Sequence, residues 1–283
     1  MGFDLSRLEV WSEEAEFKVE AARAIAYAAA TNDSNSKHRS GALAPPIFAV
    51  VPVWEAMMAA ALSVVPPEVA MRVVHGGQDM RFHRPLVPGD VLRSRAAPIG
   101  VQVRGTGTTL LMKTESRDAS GALVNEQYVT TFFRGVAEGE SGGAAPPEHK
   151  LTAEVKSSAV LAEVVARVDE DQTFRYADAS GDRMPIHIDD GVARAVGLPG
   201  IIVHGLCTMA FAGRAVVEEA CAGAPERLRR LAVRFSRPVL PGQEITTRLY
   251  AAGRDQGVVH FGFEALNAEG QAVIKDGRAE VAS

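Results

Sequence analysis

The chain of 283 residues contains few cysteines, few aromatic residues and no basic run. Its two cysteines, Cys207 and Cys221, cannot form a disulfide framework, and they indicate a reducing compartment. Both fall in or near an apolar stretch, where a buried thiol is expected rather than a nucleophile. Lysine and arginine are scattered, and the formal net charge is −5 at pH 7. This charge argues against nucleic acid or an anionic membrane as the main partner.

A membrane-spanning run and a targeting segment are also missing. The longest apolar runs, such as residues 42–53, contain prolines and are shorter than the roughly 20 residues that a helical span needs. The N-terminus continues into acidic sequence, unlike the basic and apolar regions of a signal peptide. We therefore predict a cytoplasmic protein with no membrane partner.

Hydrophobic residues make up 47% of the chain, which is enough for two domains that each bury a core. Residues 137–149 form the only extended stretch rich in Gly, Ser, Pro and Glu, a composition typical of a linker. We predict an N-terminal repeat at 1–136, a linker at 137–149 and a C-terminal repeat at 150–283.

An internal repeat supports this division. Residues 27–38 share Tyr, Ala, Ala, Asp and His with residues 176–187, at an offset of 176 − 27 = 149 residues. Residues 81–90 match residues 234–243 at an offset of 234 − 81 = 153. Two blocks in the same order indicate two copies of one supersecondary unit.

Each half also has an apolar, alanine-rich run, Ile47–Leu62 in the first and Leu206–Ala222 in the second, predicted to be a helix packed on all sides. Three strand-like segments follow, at 243–252, 258–266 and 272–281 in the second half, with a hairpin turn at Asn267–Gly270. The patterns predict an α+β domain with a buried helix and an antiparallel sheet.

The segment Ser180–Asp190 resembles the signature of MaoC-like proteins, the (R)-specific enoyl-CoA hydratases also called hydratase 2. The matching residues are Tyr176, Gly181, Asp182, Pro185, Ile186, His187 and Asp189, whereas Met184 stands where the family has Asn. Residues 200–207 resemble the family's Gly-Ile-x-x-His-Gly segment, and residues 75–85 resemble a region of its first half. The resemblance implies a double hot dog, in which each repeat wraps an antiparallel sheet around a central helix.

Hydration of a 2-enoyl thioester needs a base for water, a proton for C2 and stabilisation of the thioester oxygen. Asp182 and His187 lie on one loop and can supply the first two if they face the same water. Gly181 permits an unusual backbone conformation, and Pro185 stiffens the loop. The resemblance assigns the third role to the N–H of Gly205, at a helix start where positive charge is available.

The alternative interpretation of the pair is structural, with Asp182 as a turn residue and His187 as a buried core histidine. His204 is expected to support the site rather than to react. A metal bound by Asp182, His187 and His204 is conceivable, but no further strong ligand or typical spacing supports one. We predict no metal and no cofactor, because coenzyme A is part of the substrate.

Substrate contacts are predicted at Tyr176, Gly181 and Pro185 on the loop. Coenzyme A carries phosphates, so exposed arginines beside the repeated turns are candidates to bind them, although they are equally well explained as surface charges. These arginines are Arg81, Arg84, Arg234 and Arg237.

The first-half copy keeps Asp33 and His38 but has Asn32 in place of Gly and Ser36 in place of Pro. It also lacks the His-Gly segment at the helix entry. We predict that this copy is inactive, and the resemblance implies that its half shapes the pocket for the acyl chain.

Two other functions stay open at this point. One is a hot dog thioesterase, and the other is a non-catalytic subunit that binds acyl thioesters, which Met184 keeps possible. The expected partner is an acyl-CoA or acyl carrier protein thioester, and a homodimer is possible. The sequence does not distinguish acyl chain length or type.

Overall fold

The structure is a computed structural model that describes residues 2–283. Its helices are α1 (Ala21–Ala30), α2 (Ser36–Arg39), α3 (Trp54–Leu62), α4 (Ala153–Ser157), α5 (Gln172–Ser180), α6 (Asp190–Ala195) and α7 (Gly205–Glu219). Its strands are β1 (Ala15–Lys18), β2 (Val73–Phe82), β3 (Val91–Arg104), β4 (Gly107–Arg117), β5 (Leu123–Arg134), β6 (Gly142–Gly143), β7 (Val160–Arg167), β8 (Leu228–Phe235), β9 (Glu244–Asp255), β10 (Val258–Asn267) and β11 (Ala272–Ala282). Over these residues, none of the helices combines the length and apolar character that crossing a bilayer requires.

The chain divides into two compact units that are not consecutive halves. The first unit comprises the chain up to Lys18 with Pro52–Arg84 and Asp90–Glu148. The second unit comprises Val19–Val51, Pro85–Gly89 and His149–Ser283. Two segments of the first repeat therefore fold with the second. The boundaries drawn at 1–136, 137–149 and 150–283 concern the duplication of sequence and stay a prediction.

The first unit has an antiparallel sheet in the order β1-β3-β4-β5-β2. Gly142 and Gly143 of the predicted linker form β6, which pairs with Val101 and Gly100 of β3. Helix α3 packs against β3, and its Ala56 and Ala60 enter the apolar core of this unit. The remainder of residues 137–149 has no regular secondary structure.

The prediction of one continuous helix over Ile47–Leu62 is wrong. Residues Pro46–Val50 form a short 3-10 turn in the second unit, and α3 begins only at Trp54 in the first. Pro52 lies between them, and its missing N–H and fixed ring interrupt helical hydrogen bonding. Helix α3 is also not buried all round, since Leu62 is 65% exposed.

The second unit has an antiparallel sheet in the order β8-β11-β10-β9-β7. Strands β9, β10 and β11 confirm the three segments predicted from the sequence. The hairpin turn is confirmed as well, because the N–H of Gly270 donates to the carbonyl of Asn267 at 2.9 Å. Gly270 has φ of +73°, a conformation that glycine adopts without strain.

Helix α7 confirms the second predicted apolar helix. Eleven of its 15 residues are buried, and it packs against several strands of the unit's sheet. Gly213 permits this approach, since a Cβ there would lie 3.1 Å from a methyl group of Leu231. Cys207 and Cys221 are both buried, as predicted, and burial raises the pKa of Cys221 to about 12. Neither thiol is poised to act as a nucleophile.

Helices α1 and α5 pack against each other within the second unit. Each is followed directly by one copy of the Asp/His loop, Asp33–His38 after α1 and Asp182–His187 after α5. The packing of these helices therefore brings both copies of the motif into one compact unit.

Candidate active site

The Asp/His loop of the second repeat begins where α5 ends. Gly181 closes the helix with φ of +87°, and its N–H donates to the carbonyl of Ala177 at 2.9 Å. The left-handed conformation explains the need for glycine at this position. Pro185 then starts a short 3-10 turn, Pro185–His187, which carries the histidine. The left-handed glycine and the short 3-10 turn thus fix the spacing between the acid and the imidazole.

Asp182 is held by two hydrogen bonds, one through its backbone N–H and one through its side-chain carboxylate. Its N–H donates to Ser180 Oγ at 3.1 Å, and its Oδ1 accepts from the N–H of Met184 at 3.1 Å. The contact with residue 184 uses the backbone, so methionine supplies it as well as asparagine would. Burial raises the pKa of Asp182 above its ordinary value.

His187 is oriented by the backbone of a neighbouring loop. Its Nδ1 lies 2.7 Å from the carbonyl oxygen of Ile202. Because a carbonyl oxygen only accepts hydrogen bonds, Nδ1 carries the proton, and Nε2 of the neutral ring is a bare acceptor. Burial lowers the pKa of His187, which favours this neutral form.

His204 completes a group of three close side chains. The ligand atoms of Asp182, His187 and His204 all lie within 4.8 Å of one another. His204 Nε2 donates to the backbone carbonyl of Asp182 at 3.0 Å, and burial lowers the pKa of His204 to about 3. Its ring stacks on that of His187, with centroids 3.8 Å apart and planes 25° apart.

The stacked rings argue against a metal at this group. A metal ion lies in the plane of each imidazole that binds it, along the nitrogen lone pair. The planes of His187 and His204 are nearly parallel and 3.8 Å apart at their centroids, so their lone pairs do not converge on one ion. The arrangement does not fit a metal centre, whereas a water molecule needs only hydrogen-bonding partners at its periphery.

Gly205 is the first residue of α7, directly after His204. The first amides of a helix have no acceptor within the helix and lie at its positive end. A Cβ at Gly205 would lie 3.4 Å from the ring of Phe235, so the residue packs against an aromatic ring. This placement fits the oxyanion role predicted for Gly205.

Tyr176 is fully buried, and its contacts are with protein groups. Its hydroxyl lies 2.9 Å from the hydroxyl of Tyr27 on α1, and its ring centroid lies 4.8 Å from that of His204. Tyr176 therefore connects the first-repeat helix to the histidine pair. Its predicted contact with substrate stays a prediction, as do those of Gly181 and Pro185.

The predicted phosphate-binding arginines lie in both compact units. In the first unit, Arg81 pairs with Glu126 at 3.0 Å, and Arg84 pairs with Asp90 at 2.7 Å. In the second unit, Arg234 is 61% exposed and lies 3.9 Å from an oxygen of Asp276, while Arg237 contacts a backbone carbonyl at 3.4 Å.

The first-repeat copy has a different arrangement. His38 Nδ1 lies 2.7 Å from a carboxylate oxygen of Asp33, and both side chains are buried. The acid and the imidazole thus bind each other, whereas Asp182 and His187 each bind a backbone group instead. Asn32, at the place of Gly181, adopts φ of +51°. The first-repeat copy keeps the Asp and the His, but these two side chains form a closed pair, hydrogen-bonded to each other.

Three features of the site were not predicted from the sequence. These are the stack of His204 on His187, the hydroxyl contact between Tyr27 and Tyr176, and the hydrogen bonds of the Asn32 side chain described below. The repeat itself carried a signal for the tyrosines, because equivalent residues of two symmetric copies can meet on the axis between them.

Comparison with known proteins gives a consistent picture. Residues 150–263 match the family described as MaoC like domain, and residues 9–127 match the FAS1-like, dehydratase domain region. The 3-hydroxyacyl-thioester dehydratase Y of Mycobacterium tuberculosis is 33% identical over 215 residues, covering 74% of this chain and 72% of that protein. The peroxisomal enoyl-CoA hydratase 2 of Arabidopsis thaliana is 31% identical, covering 64% of this chain and 60% of that protein.

Solved structures agree on the fold. A MaoC-like dehydratase from Phytophthora capsici superposes with a TM-score of 0.81 at 25% identity, covering 96% of each chain. A Mycobacterium tuberculosis protein described as a double hotdog fold superposes with a TM-score of 0.62 at 16% identity, covering 99% of this chain and 97% of that one. The predicted double hot dog is confirmed, and the chain belongs to the MaoC-like dehydratase family.

Proposed function

We propose that the protein is a hydro-lyase that adds water reversibly to a trans-2-enoyl thioester to give the (R)-3-hydroxyacyl thioester. In the reverse direction it is a 3-hydroxyacyl-thioester dehydratase, the activity named for the mycobacterial relative. Forward, water loses a proton and its oxygen bonds to C3, while C2 gains a proton. The net change is the addition of one water across the double bond, without a cofactor.

The observation that carries this proposal is the pairing of a buried carboxyl group and a neutral imidazole on one loop. Asp182 and His187 belong to a group of three side chains whose ligand atoms lie within 4.8 Å of one another, and Nε2 is the nitrogen of His187 that the bond to Ile202 leaves as an acceptor. A single water can donate one hydrogen to each acceptor, which turns its lone pair toward C3 of a bound substrate. The proton that it loses is then available for C2.

The enolate-like oxygen of the thioester would be stabilised by the N–H of Gly205, at the positive end of α7. The substrate is expected to be an acyl-CoA or acyl carrier protein thioester. Among the four arginines considered, the exposed Arg234 suits a phosphate better than Arg84, whose charge two aspartates already balance. A cytoplasmic location and a homodimer remain part of the proposal.

The test is turnover of crotonyl-CoA by Asp182→Asn and His187→Gln. Each variant should lose at least about 100-fold in kcat, the usual range for a general acid or base, while the melting temperature stays close to that of the unchanged protein. Asp33→Asn in the closed first-repeat pair is the matched control and should keep most of the activity. Near-normal turnover in either loop variant would contradict the assignment.

The assay also separates the alternative functions. Loss of the enoyl absorbance without free thiol is expected for a hydratase. Release of thiol by the unchanged protein would indicate a thioesterase instead, and tight acyl-CoA binding without turnover would indicate a binding subunit. A panel of linear, branched and steroid enoyl-CoA esters would then define the acyl group.

A further inference from the structure

One buried histidine contacts both members of the proposed acid/base pair without taking part in the proposed chemistry. His204 is 1% exposed. It donates a hydrogen bond to the backbone of Asp182, stacks on the ring of His187 and directly precedes Gly205 in the chain. Asp182 and His187 lie on one loop and Gly205 begins α7, and the side chain of His204 touches or adjoins all three.

We infer that His204 is a positioning residue for the hydration reaction, fixing the Asp182 backbone through Nε2 and the plane of the His187 ring through stacking. This inference rests on the proposed function. It assigns His204 no proton transfer to substrate.

The hydrogen bond acts on the acid. Met184 holds the Asp182 carboxylate from within the loop, but the carbonyl of Asp182 is held from 22 residues away by the ring of His204. Since the loop crosses from the end of α5 to a short turn, this long-range contact anchors it to the entry of α7. Displacement of a catalytic group by about 1 Å can cost about 100-fold in rate.

The stack acts on the imidazole. The Nδ1 bond to Ile202 sets one edge of the His187 ring but leaves rotation about that bond open. A second ring at 3.8 Å covers one face and restricts that rotation. It also keeps water from that face, which contributes to the burial that lowers the pKa of His187.

His204 stays uncharged in this role. The titratable groups that face it are His187, Asp182 and Tyr176. Burial is the main cause that lowers the pKa of His204 to about 3, so it remains neutral throughout the range in which enzymes of this kind work. Because Nε2 donates its hydrogen, Nδ1 is a bare acceptor, and this atom is buried without a hydrogen-bond partner among residues 2–283.

Two substitutions separate the contacts. His204→Gln keeps an N–H donor for the Asp182 carbonyl but removes the stacked ring. His204→Phe keeps an aromatic ring against His187 but removes the donor. We expect kcat for crotonyl-CoA to fall about 10- to 100-fold in each variant. In the Asp182→Asn background, His204→Phe should cost much less than it does alone, because it acts through Asp182.

A readout independent of activity comes from NMR titration of the His187 ring. His204→Gln should raise the pKa of His187 toward its ordinary value, because one face of the ring becomes wetter, while His204→Phe should change it less. His75→Gln, which removes a half-buried imidazole of the first unit whose pKa burial also lowers, is the control and should leave the His187 titration unchanged. If His204→Phe does not fold, His204→Gln still tests the stack.

The outcomes are distinct. Turnover within twofold of the unchanged protein and an unshifted His187 titration in both variants would overturn the inference and leave the hydratase proposal intact. A parent protein without hydratase activity would overturn the proposed function, whereas the titration would still report whether His204 sets the environment of His187.

Discussion

At the residue scale, equivalent positions of the two repeats adopt the same left-handed backbone conformation with different residues. Gly181 and Asn32 occupy the same place in the two copies, and both have positive φ, +87° and +51°. Glycine adopts this region freely, and asparagine is one of the few other residues that tolerate it. The loop therefore requires the conformation in both copies, even though one pair is closed.

Gly181→Ala should destabilise the protein by about 1 kcal/mol, the lower end of the cost of a left-handed alanine. No clash adds to it, because the nearest atom to a Cβ there, on Arg23, would be 3.6 Å away. Gly181→Asn, which copies the first repeat, should cost less. Urea unfolding of both variants measures the difference, and equal losses would show that backbone conformation is not the constraint.

The pH dependence of hydration is also set at this scale. Burial raises the pKa of Asp182 from 3.8 and lowers the pKa of His187 from 6.5, so the two titrations move toward each other. The proposed active form has both groups unprotonated. Activity should therefore fall on acidification, with the step that belongs to His187 below the ordinary imidazole pKa of 6.5 and the step that belongs to Asp182 above the ordinary carboxyl pKa of 3.8. A kcat/KM profile that stayed level or rose on acidification would contradict this assignment of protonation states.

At the scale of elements, α1 acts as a support for the catalytic helix. Arg23, Tyr27 and Asn32 of the first repeat contact Ser180, Tyr176 and Gln172 of the second, in reversed order. The reversed order shows that α1 and α5 run antiparallel. The helix that ends at the catalytic loop is thus held along its whole length.

Asn32 makes the densest of these contacts. Its side-chain amide donates to Asp169 at 3.0 Å and to Gln172 at 3.2 Å, and its oxygen accepts from Arg175 at 3.2 Å. Asn32→Gly should keep the left-handed backbone but lose these bonds, at about 1–3 kcal/mol of unfolding free energy. Asn32→Ala should lose about 1 kcal/mol more, because alanine is strained there.

Thermal or urea unfolding of the two variants separates side-chain bonding from backbone conformation. If Asn32→Gly were as stable as the unchanged protein, the side-chain hydrogen bonds of Asn32 would contribute nothing to the free energy of unfolding. A loss confined to Asn32→Ala would assign the whole effect to the backbone.

The sequence was sufficient where local patterns decide the structure. The hairpin at Asn267–Gly270, the apolar helix α7 and the Asp182–His187 loop each depend on residues close together in the chain. It was insufficient at Pro52, where one proline divided an apolar run between two compact units. It was also insufficient for the stack of His204 on His187, because packing between segments that are distant in the chain produces no periodic pattern in the sequence.

At the scale of the whole molecule, the two repeats do not coincide with the two compact units. Val19–Val51 of the first repeat belongs to the same compact unit as the entire second repeat. A fragment of residues 150–283 would expose the surfaces of α5 and α7 that this segment covers, including the buried hydroxyl of Tyr176.

We therefore expect residues 150–283 expressed alone to be insoluble or unfolded, although they contain every predicted catalytic residue. Co-expression with residues 1–149 should restore a soluble, active complex. Circular dichroism and crotonyl-CoA turnover are the measurements. A stable, active fragment 150–283 would show that the segment Val19–Val51 is dispensable.

The paired hydroxyls of Tyr27 and Tyr176 bear on the history of the gene. Two equivalent residues that touch are what a symmetric homodimer produces where its twofold axis passes between the subunits. In a single duplicated chain the two codons mutate separately, yet either change alone leaves a buried hydroxyl unpaired, at about 1–3 kcal/mol. One contact between equivalent residues therefore ties the two repeats together, so a substitution at either tyrosine disturbs both repeats at once.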